Sequence, residues 1–286
     1  MKYGIVSTCV TSNIGDDIQS LAAIELLRQN GINEYICLER EALNSYHGEP
    51  VALIMNGWFL HYMENFPPSD RIKPLFISFH CEKEELIEKH KKYFLKHEPI
   101  GCRSNSTVSM CNKYGIKAYL SGCLSLCFDE VDKTSKKRDC TYIVDVPLMD
   151  SLKNSIHLTH IHPHLNGQTN QQRFWRAEAL LDLYREAELV ITSRLHCLLP
   201  CRAFNANAKF IHSSYHIDPR FQGLTDIING KNVRCEKSKS PAASTLDLIG
   251  LNSSKLENIP NTVNREIINN KKNEIKKNFT ELITKI

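Results

Sequence analysis

Short apolar segments rich in β-branched residues alternate along this chain with longer segments of helical periodicity. The segments of the first half that read as strands are residues 2–6, 35–38, 51–55, 75–79 and 117–120. Apolar residues at helical spacing predict helices between them, over residues 17–29, 84–95 and 105–114. This alternation restricts the fold strongly, because it predicts an α/β protein whose parallel sheet is covered by helices on both faces.

A charged stretch interrupts the pattern at residues 129–139, where DEVDKTSKKRD has almost no apolar side chain. It buries too little surface to offset its ordering entropy, so we interpret it as a solvated linker. Beyond it we predict strands and helices in the same alternation, at residues 141–146, 155–159, 171–186, 189–193, 196–204 and 209–212. We therefore predict two Rossmann-like domains, residues 1–130 and 140–235, that face each other across a cleft.

The C-terminal extension, residues 236–286, ends in a predicted amphipathic helix. Its apolar stripe at helical spacing consists of Val263, Ile267, Ile275, Phe279, Ile283 and Ile286. Residues 265–286 carry six basic and three acidic side chains. Three interpretations remain open: the helix packs back onto a domain, contacts an anionic membrane surface, or forms a dimer contact.

The composition excludes several classes of protein. The net charge of +4, from 36 basic and 32 acidic residues, is too balanced to indicate nucleic-acid binding. Eleven cysteines, an odd number at spacings unlike zinc knuckles, favour reduced thiols in a cytoplasmic protein. No apolar run approaches the roughly 18–20 residues of a transmembrane helix, and the N-terminus lacks a signal-peptide pattern.

Ligands of open α/β sheets bind beyond the C-terminal ends of the strands, which directs attention to two strand-to-helix turns. After the first strand, Asn13 can cap a helix, Gly15 permits a tight turn and Asp16 follows in the first helical turn. After the strand at residues 189–193, Arg194 and His196 lie two apart and point to the same side of an extended backbone. A guanidinium can bind a carboxylate or phosphate, and an imidazole can exchange a proton near neutral pH. The alternative for both turns is a purely structural cap or ion pair.

Other candidates also follow predicted strands or lie in polar turns. Arg103 precedes a helix in the first half, and we expect it opposite Arg194 across the cleft. A histidine-rich stretch contains His157, His160, His162 and His164; a metal site is one interpretation, but we expect no metal, and expect His162 and His164 to line the cleft. The remaining candidates for the cleft or an acceptor site are Asn56, Trp58 and His80.

Several of these motifs together resemble the polysaccharide pyruvyl transferase family. The motifs are Asn13-x-Gly15-Asp16, Asn56-Gly57, Arg103 before a Ser/Thr-rich helix start, and Thr192-Ser193-Arg194-Leu195-His196 followed by Leu198-Leu199-Pro200. The resemblance spans about residues 3–230. It implies a GT-B-like fold and transfer of a pyruvyl group from phosphoenolpyruvate to two hydroxyls of one sugar. It also implies that the donor binds to Arg194, Leu195 and His196 in the domain of residues 140–235, and to Arg103 in the facing turn of the first domain.

The residue types fit that chemistry, since two arginines can orient a small molecule that carries a carboxylate and a phosphate. Our hypothesis makes His196 the general acid or base and Asp16 a second base. No cofactor is expected beyond phosphoenolpyruvate as donor substrate, and the acceptor is a sugar or lipid-linked oligosaccharide of a bacterial capsule or exopolysaccharide. We expect a cytoplasmic enzyme, with peripheral contact at the inner membrane face as an open alternative. The competing interpretations are a GT-B glycosyltransferase that uses a nucleotide sugar and a non-catalytic sugar-binding scaffold.

Overall fold

A computed structural model describes residues 1–59, 62–131, 138–146, 152, 154–212, 218–229, 231–232 and 256–286. Its strands are β1 (Lys2–Ser7), β2 (Tyr35–Glu39), β3 (Val51–Trp58), β4 (Ile72–His80), β5 (Ile100–Cys102), β6 (Ala118–Leu120), β7 (Arg138–Val144), β8 (Ser155–Leu158), β9 (Ala187–Thr192), β10 (Ala208–His212) and β11 (Lys231–Asn232). Its α-helices are α1 (Ile14–Gln29), α2 (Glu84–Lys89), α3 (Lys91–Lys96), α4 (Asn105–Lys113), α5 (Asn170–Glu186), α6 (Leu195–Phe204), α7 (Thr225–Ile228) and α8 (Arg265–Ile283).

The strands form two sheets, and every described strand pairing is parallel. The first has six strands in the order β2-β1-β3-β4-β5-β6, and the second has five in the order β11-β10-β9-β7-β8. Strands β3 and β4 are buried along almost their whole length, as expected of central strands covered on both faces. The predicted α/β class and its parallel sheets are confirmed, whereas the division into two domains and the GT-B-like assignment stay predictions.

One apolar core joins the two sheets. It contains Ile18 and Leu26 of α1 together with Leu181 of α5 and Leu198 of α6. A second core, rich in aromatic rings such as Phe76 and Phe94, lies on the other side of the first sheet. Since α1 contributes to the core shared with the second half, the helix after β1 belongs structurally to both sheets.

A buried ion pair crosses this junction. The Asp17 carboxylate of α1 accepts two hydrogen bonds from the Arg173 guanidinium of α5, at 2.9 Å each, and both side chains are at most 1% exposed. Arg173 also donates through Nη1 to the carbonyl oxygens of Thr11 and Leu165. The guanidinium therefore fixes the loop after β1 and the loop before α5 in one position.

The C-terminal helix α8 packs back onto the chain. Its buried apolar residues are Ile268, Ile275 and Phe279, whereas Ile267 and Ile286, which we placed in the apolar stripe, are exposed. The Lys272 ammonium of α8 is also buried and donates to the carbonyl oxygens of Phe128, at 2.7 Å, and Ala203, at 3.0 Å. The inward face of α8 is thus covered by protein, and no described helix is long and apolar enough to cross a membrane.

The predicted elements agree closely with the structure, which adds the short elements α7 and β11; two predicted segments also differ. The helix predicted over residues 84–95 is two short helices, because the chain breaks helical geometry at His90. The predicted linker is shorter than residues 129–139, since Arg138 and Asp139 already belong to β7; residues 132–137 lie outside the described chain, as do residues 236–255 of the extension. The ten described cysteines are free thiols, seven of them buried.

We predict that Asp17→Asn destabilises the protein by about 3–5 kcal/mol, because it leaves the Arg173 charge buried without a counter-ion. Denaturant unfolding followed by circular dichroism measures this change. Arg28→Ala is the control: Arg28 forms an exposed ion pair with Asp129, and its loss should cost no more than about 1 kcal/mol. Equal losses of stability in the two variants would contradict a stabilising role of the buried Asp17–Arg173 pair.

Candidate functional site

A cavity of about 410 Å³ lies where loops after strands of both sheets meet. Its walls carry three arginines, four histidines and two carboxylates together with polar and apolar groups. The lining residues are Asn13, Gly15, Asp16, Gln19, Trp58, His80, Glu82, Arg103, His160, Ser193, Arg194, Leu195, His196, His212, Arg220 and Phe221. The cavity thus takes residues from both halves of the chain.

The structure brings together most of the residues singled out from the sequence. Asn13, Gly15, Asp16, Trp58, His80, Arg103, Arg194, Leu195 and His196 all line this cavity. Asn56 lies behind the wall, where its side chain is buried and donates to the carbonyl of Gln19 at 3.0 Å. His162 and His164 do not line the cavity; of the histidine-rich stretch, His160 does. Among the described residues, no group of three or more potential metal ligands occurs.

The turn after β1 is paired with the loop after β8. Ile14 donates its backbone N–H to the carbonyl of His160 at 2.9 Å, and His162 donates to the carbonyl of Ser12 at 2.7 Å. Asn13 caps α1 by accepting from the Gly15 amide at 3.1 Å. These bonds hold the start of α1 and the His160 loop against each other at the cavity wall.

Gly15 lies where three cavity elements converge. A Cβ atom at this position would lie 3.1 Å from Asn13 Oδ1, 3.4 Å from His160 Nδ1 and 3.4 Å from the Cβ of His196. There is little room for a side chain here. The absence of one allows the N-termini of α1 and α6 to approach each other beside the cavity.

Arg103 supplies a buried charge without an acidic partner. Its side chain is 3% exposed, and its Nη1 donates to Gln19 Oε1 at 3.3 Å and to His196 Nε2 at 3.4 Å. Within the part of the chain that the structure describes, its Nε has no hydrogen-bond partner and no carboxylate forms an ion pair with it. Burial lowers the pKa of this guanidinium from its usual value. A buried cation of this kind is stabilised by an anion that enters the cavity.

His196 stands next to this charge, in the first turn of α6. A guanidinium only donates hydrogen bonds, so Nε2 of His196 accepts, and the imidazole is neutral with its proton on Nδ1. Burial, followed by the Arg103 charge, lowers the pKa of His196 well below its ordinary value. The backbone amides of Leu195 and His196 have no hydrogen-bond partner among the described residues. They add two donors and the positive end of a helix to the cavity wall.

Arg194 is oriented by a carboxylate at the end of β7. Its Nε donates to Asp145 Oδ2 at 2.6 Å, and Asp145 also accepts from the His160 amide at 2.9 Å. Asp145 has a φ of 53°, a left-handed conformation that aspartate adopts more readily than most residues other than glycine, and these bonds hold it there. Burial disfavours ionisation of Asp145, but hydrogen bonds from Thr159, His160 and Arg194 outweigh it and lower its pKa. Asp145 therefore pairs with Arg194 as an anion and leaves the terminal nitrogens of the guanidinium for a ligand.

On the opposite side, His80 connects β4 with the start of α4. Its Nε2 donates to Glu82 Oε1 at 3.0 Å, and Nδ1 lies 3.2 Å from both Ser104 Oγ and Thr107 Oγ1. Burial and the nearby Arg103 charge lower the pKa of His80 to about 4. The hydrogen bond from His80 in turn lowers the pKa of Glu82. Glu82 is therefore an ionised acceptor at the cavity wall.

Seven lining residues were not selected as site residues from the sequence, although His160 and Ser193 lie in motifs noted there: Gln19, Glu82, His160, Ser193, His212, Arg220 and Phe221. Strand ends give a usable signal for Glu82, Ser193 and His212, which follow or terminate β4, β9 and β10. Gln19 lies one helical turn after Asp16 and donates to its carboxylate at 3.2 Å. Arg220 and Phe221 have no such signal, because their placement depends on contacts across the two halves.

Comparison with known proteins shows which family the chain belongs to. The family model for polysaccharide pyruvyl transferase matches residues 13–211, which include Arg103, Arg194 and His196. The chain therefore belongs to the polysaccharide pyruvyl transferase family. No curated protein matches it.

A solved structure is similar in fold. It is the crystal structure of a functionally uncharacterized protein from Klebsiella pneumoniae, with 15% sequence identity and a TM-score of 0.51. The match covers 77% of this chain and 87% of the Klebsiella chain. At this identity the likeness concerns the fold alone.

We predict that acidification destabilises the protein between pH 6.5 and 4, partly through His80. The folded-state pKa of about 4 lies below the unfolded value, so the unfolded chain binds a proton first as the pH falls. Protonation of His80 lowers the free energy of unfolding by at most about 3 kcal/mol, and this loss is complete below the pKa of the folded state. Denaturant unfolding at several pH values should give a flatter profile for His80→Gln than for wild type, whereas the exposed control His164→Gln should keep the wild-type slope. Identical slopes for all three proteins would contradict this role of His80.

Proposed function

We propose that this protein transfers the pyruvyl group of phosphoenolpyruvate onto two hydroxyls of one sugar, forming a pyruvate ketal and releasing phosphate. The observation that carries the proposal is the buried Arg103 guanidinium, which has no acidic partner among the described residues and lies 3.4 Å from His196 in a cavity that Arg194 also lines. Phosphoenolpyruvate is a small molecule with a carboxylate and a phosphate, and convergent arginines bind both groups well.

The donor would occupy the part of the cavity formed by Arg103, Arg194 and the first turn of α6. Arg103 and the terminal nitrogens of Arg194 would bind its anionic groups, and the free amides of Leu195 and His196 would bind a further oxygen. The Asp145–Arg194 pair fixes the direction of that guanidinium before the donor arrives. Such preorganised donors are effective because they do not have to reorient during the reaction.

His196 would move the proton that starts the reaction. Protonation of the methylene carbon of phosphoenolpyruvate forms a methyl group and an oxocarbenium-like centre, which one sugar hydroxyl attacks. Phosphate then leaves, and the second hydroxyl closes the ketal. Of the two hydroxyl protons, one balances the proton delivered to carbon and the other leaves with phosphate.

In this scheme the Arg103 charge makes the protonation of His196 depend on whether the donor is bound. In the free protein it favours neutral His196, because a protonated imidazole would lie against the guanidinium. A bound donor anion would offset that charge and raise the pKa of His196. The imidazole could then carry a proton when the donor is in place.

The acceptor sugar would lie on the side of Asp16, Glu82 and Trp58. Asp16 and Glu82 are carboxylates that can accept hydroxyl hydrogens, and Trp58 offers an aromatic face for a sugar ring. Asp16 is the second base in this scheme. The acceptor belongs to a bacterial surface glycan or its lipid-linked precursor, in the cytoplasm, and no cofactor is needed.

We expect phosphoenolpyruvate to raise the melting temperature of the protein, with uridine and guanosine diphosphates inert. Incubation with phosphoenolpyruvate and bacterial surface oligosaccharides should release phosphate and add about 70 mass units to the acceptor, as expected for a pyruvate ketal. A product heavier by about 162 mass units from a nucleotide sugar would instead identify a hexosyltransferase. Phosphoenolpyruvate that neither binds nor reacts would contradict the proposal.

We further expect His196→Gln to lower kcat by about 10²–10⁴-fold, because glutamine cannot transfer a proton. Phosphate release at saturating phosphoenolpyruvate measures the change. His164→Gln, outside the cavity, should retain wild-type kcat and serves as the control. A folded His196→Gln variant with full turnover would remove His196 from the proton transfer.

A further inference from the structure

A segment that follows β10 reaches from the second half of the chain to the first. Gln222 accepts a hydrogen bond from the Asn105 amide at 3.0 Å, and Pro219 accepts one from Ser106 Oγ at 3.2 Å. Gly223 packs so closely that a Cβ there would lie 2.9 Å from Leu120. We call residues 218–223 the bridging segment. It is anchored on the start of α4, directly after Arg103.

The bridging segment carries Arg220 to the cavity. The guanidinium lines the same cavity as Arg103 and Arg194, and its side chain is 46% exposed. Its Nε lies 2.9 and 3.1 Å from the two carboxylate oxygens of Asp218, and Nη2 also donates to Asp218. Phe221 is buried and packs against Phe210 of β10, which holds the segment in place.

The three arginines of the cavity outnumber its two carboxylates, Asp16 and Glu82, so the wall carries a positive charge that favours an anion. The partners of Arg194 and Arg220, Asp145 and Asp218, are not among the lining residues, and Arg103 has no carboxylate partner within the described chain. The Nη1 group of Arg220 has no hydrogen-bond partner among the described residues. Phosphoenolpyruvate carries one carboxylate and a phosphate whose second ionisation lies near pH 6, so its charge approaches −3 at neutral pH.

We propose that Arg220 is a third donor-binding arginine, which binds an anionic group of phosphoenolpyruvate through its Nη1 group. This proposal rests on the proposed function. Arg220 lies beyond residues 13–211, so the family match does not assign it a role.

A purely structural role for the Asp218–Arg220 pair makes a different prediction. If the pair only held the bridging segment, loss of either partner would weaken donor binding alike. If Arg220 binds the donor, loss of Arg220 weakens binding, whereas loss of Asp218 removes a carboxylate that competes for the same guanidinium. The two substitutions therefore distinguish a binding residue from a structural one.

The experiment is calorimetric titration of the full-length protein with phosphoenolpyruvate in the absence of acceptor. Arg220→Gln should weaken binding by about 10–100-fold, the loss of one or two hydrogen bonds to a charged group. The affinity of Arg220→Lys for phosphoenolpyruvate should lie between those of wild type and Arg220→Gln, because lysine keeps the charge but not the forked geometry. Asp218→Asn should bind at least as tightly as wild type. Arg138→Gln removes an arginine that pairs with Glu186 at the opposite end of β7 and should bind like wild type.

Thermal unfolding without ligand checks that each variant is folded. Wild-type affinity in folded Arg220→Gln, or equal weakening in Arg220→Gln and Asp218→Asn, would overturn the role of Arg220 and leave the proposed function standing. Failure of the wild-type protein itself to bind phosphoenolpyruvate would overturn the proposed function, and with it this proposal.

Discussion

The buried pair between Asp17 and Arg173 is the interaction on which the rest of the structure depends. It joins α1 to α5, and the same guanidinium holds the carbonyls of Thr11 and Leu165. The loops that it fixes are those that pair beside Gly15, where the start of α1 meets the His160 loop. A charge pair buried this completely gains little net stability against an apolar pair, but it tolerates only one arrangement of its partners. The geometry of the cavity wall follows from that single arrangement.

A second buried charge has the opposite character. Arg103 is buried like Arg173, yet within the described chain its side chain donates hydrogen bonds only to the Gln19 amide oxygen and the His196 imidazole. The Arg173 guanidinium thus has a carboxylate partner, whereas the Arg103 guanidinium has none among the described residues. Stability accounts for the first arrangement, whereas the second is explained when an anionic ligand completes it. This contrast is the physical basis for proposing a structural role for Arg173 and a ligand-binding role for Arg103.

Much of this structure could be predicted from the sequence, because the relevant signals are local. Strands such as β3 and helices such as α1 follow directly from apolar periodicity, and strand ends pointed to Arg103, Arg194 and His196. The errors come from contacts that are distant in sequence. Periodicity placed Ile267 on the buried side of α8, whereas packing buries Ile268 instead. We selected His162 and His164 from the histidine-rich stretch for the cleft, whereas His160 lines the cavity, because its position depends on backbone pairing with the turn after β1.

Helix α6 connects the cavity with the C-terminus of the chain. Its first turn carries Leu195 and His196, and the carbonyls at its other end accept hydrogen bonds from Lys272 and Arg265 of α8. Neither α8 nor strand β1 lies within residues 13–211, the part that matches the family. A protein trimmed to the matched residues would therefore lose an inner strand of the first sheet and the cations that neutralise the carboxyl end of this helix. The part of the chain that matches the family is thus smaller than the part that folds together. Expression boundaries placed at the ends of the match would remove elements that the fold needs.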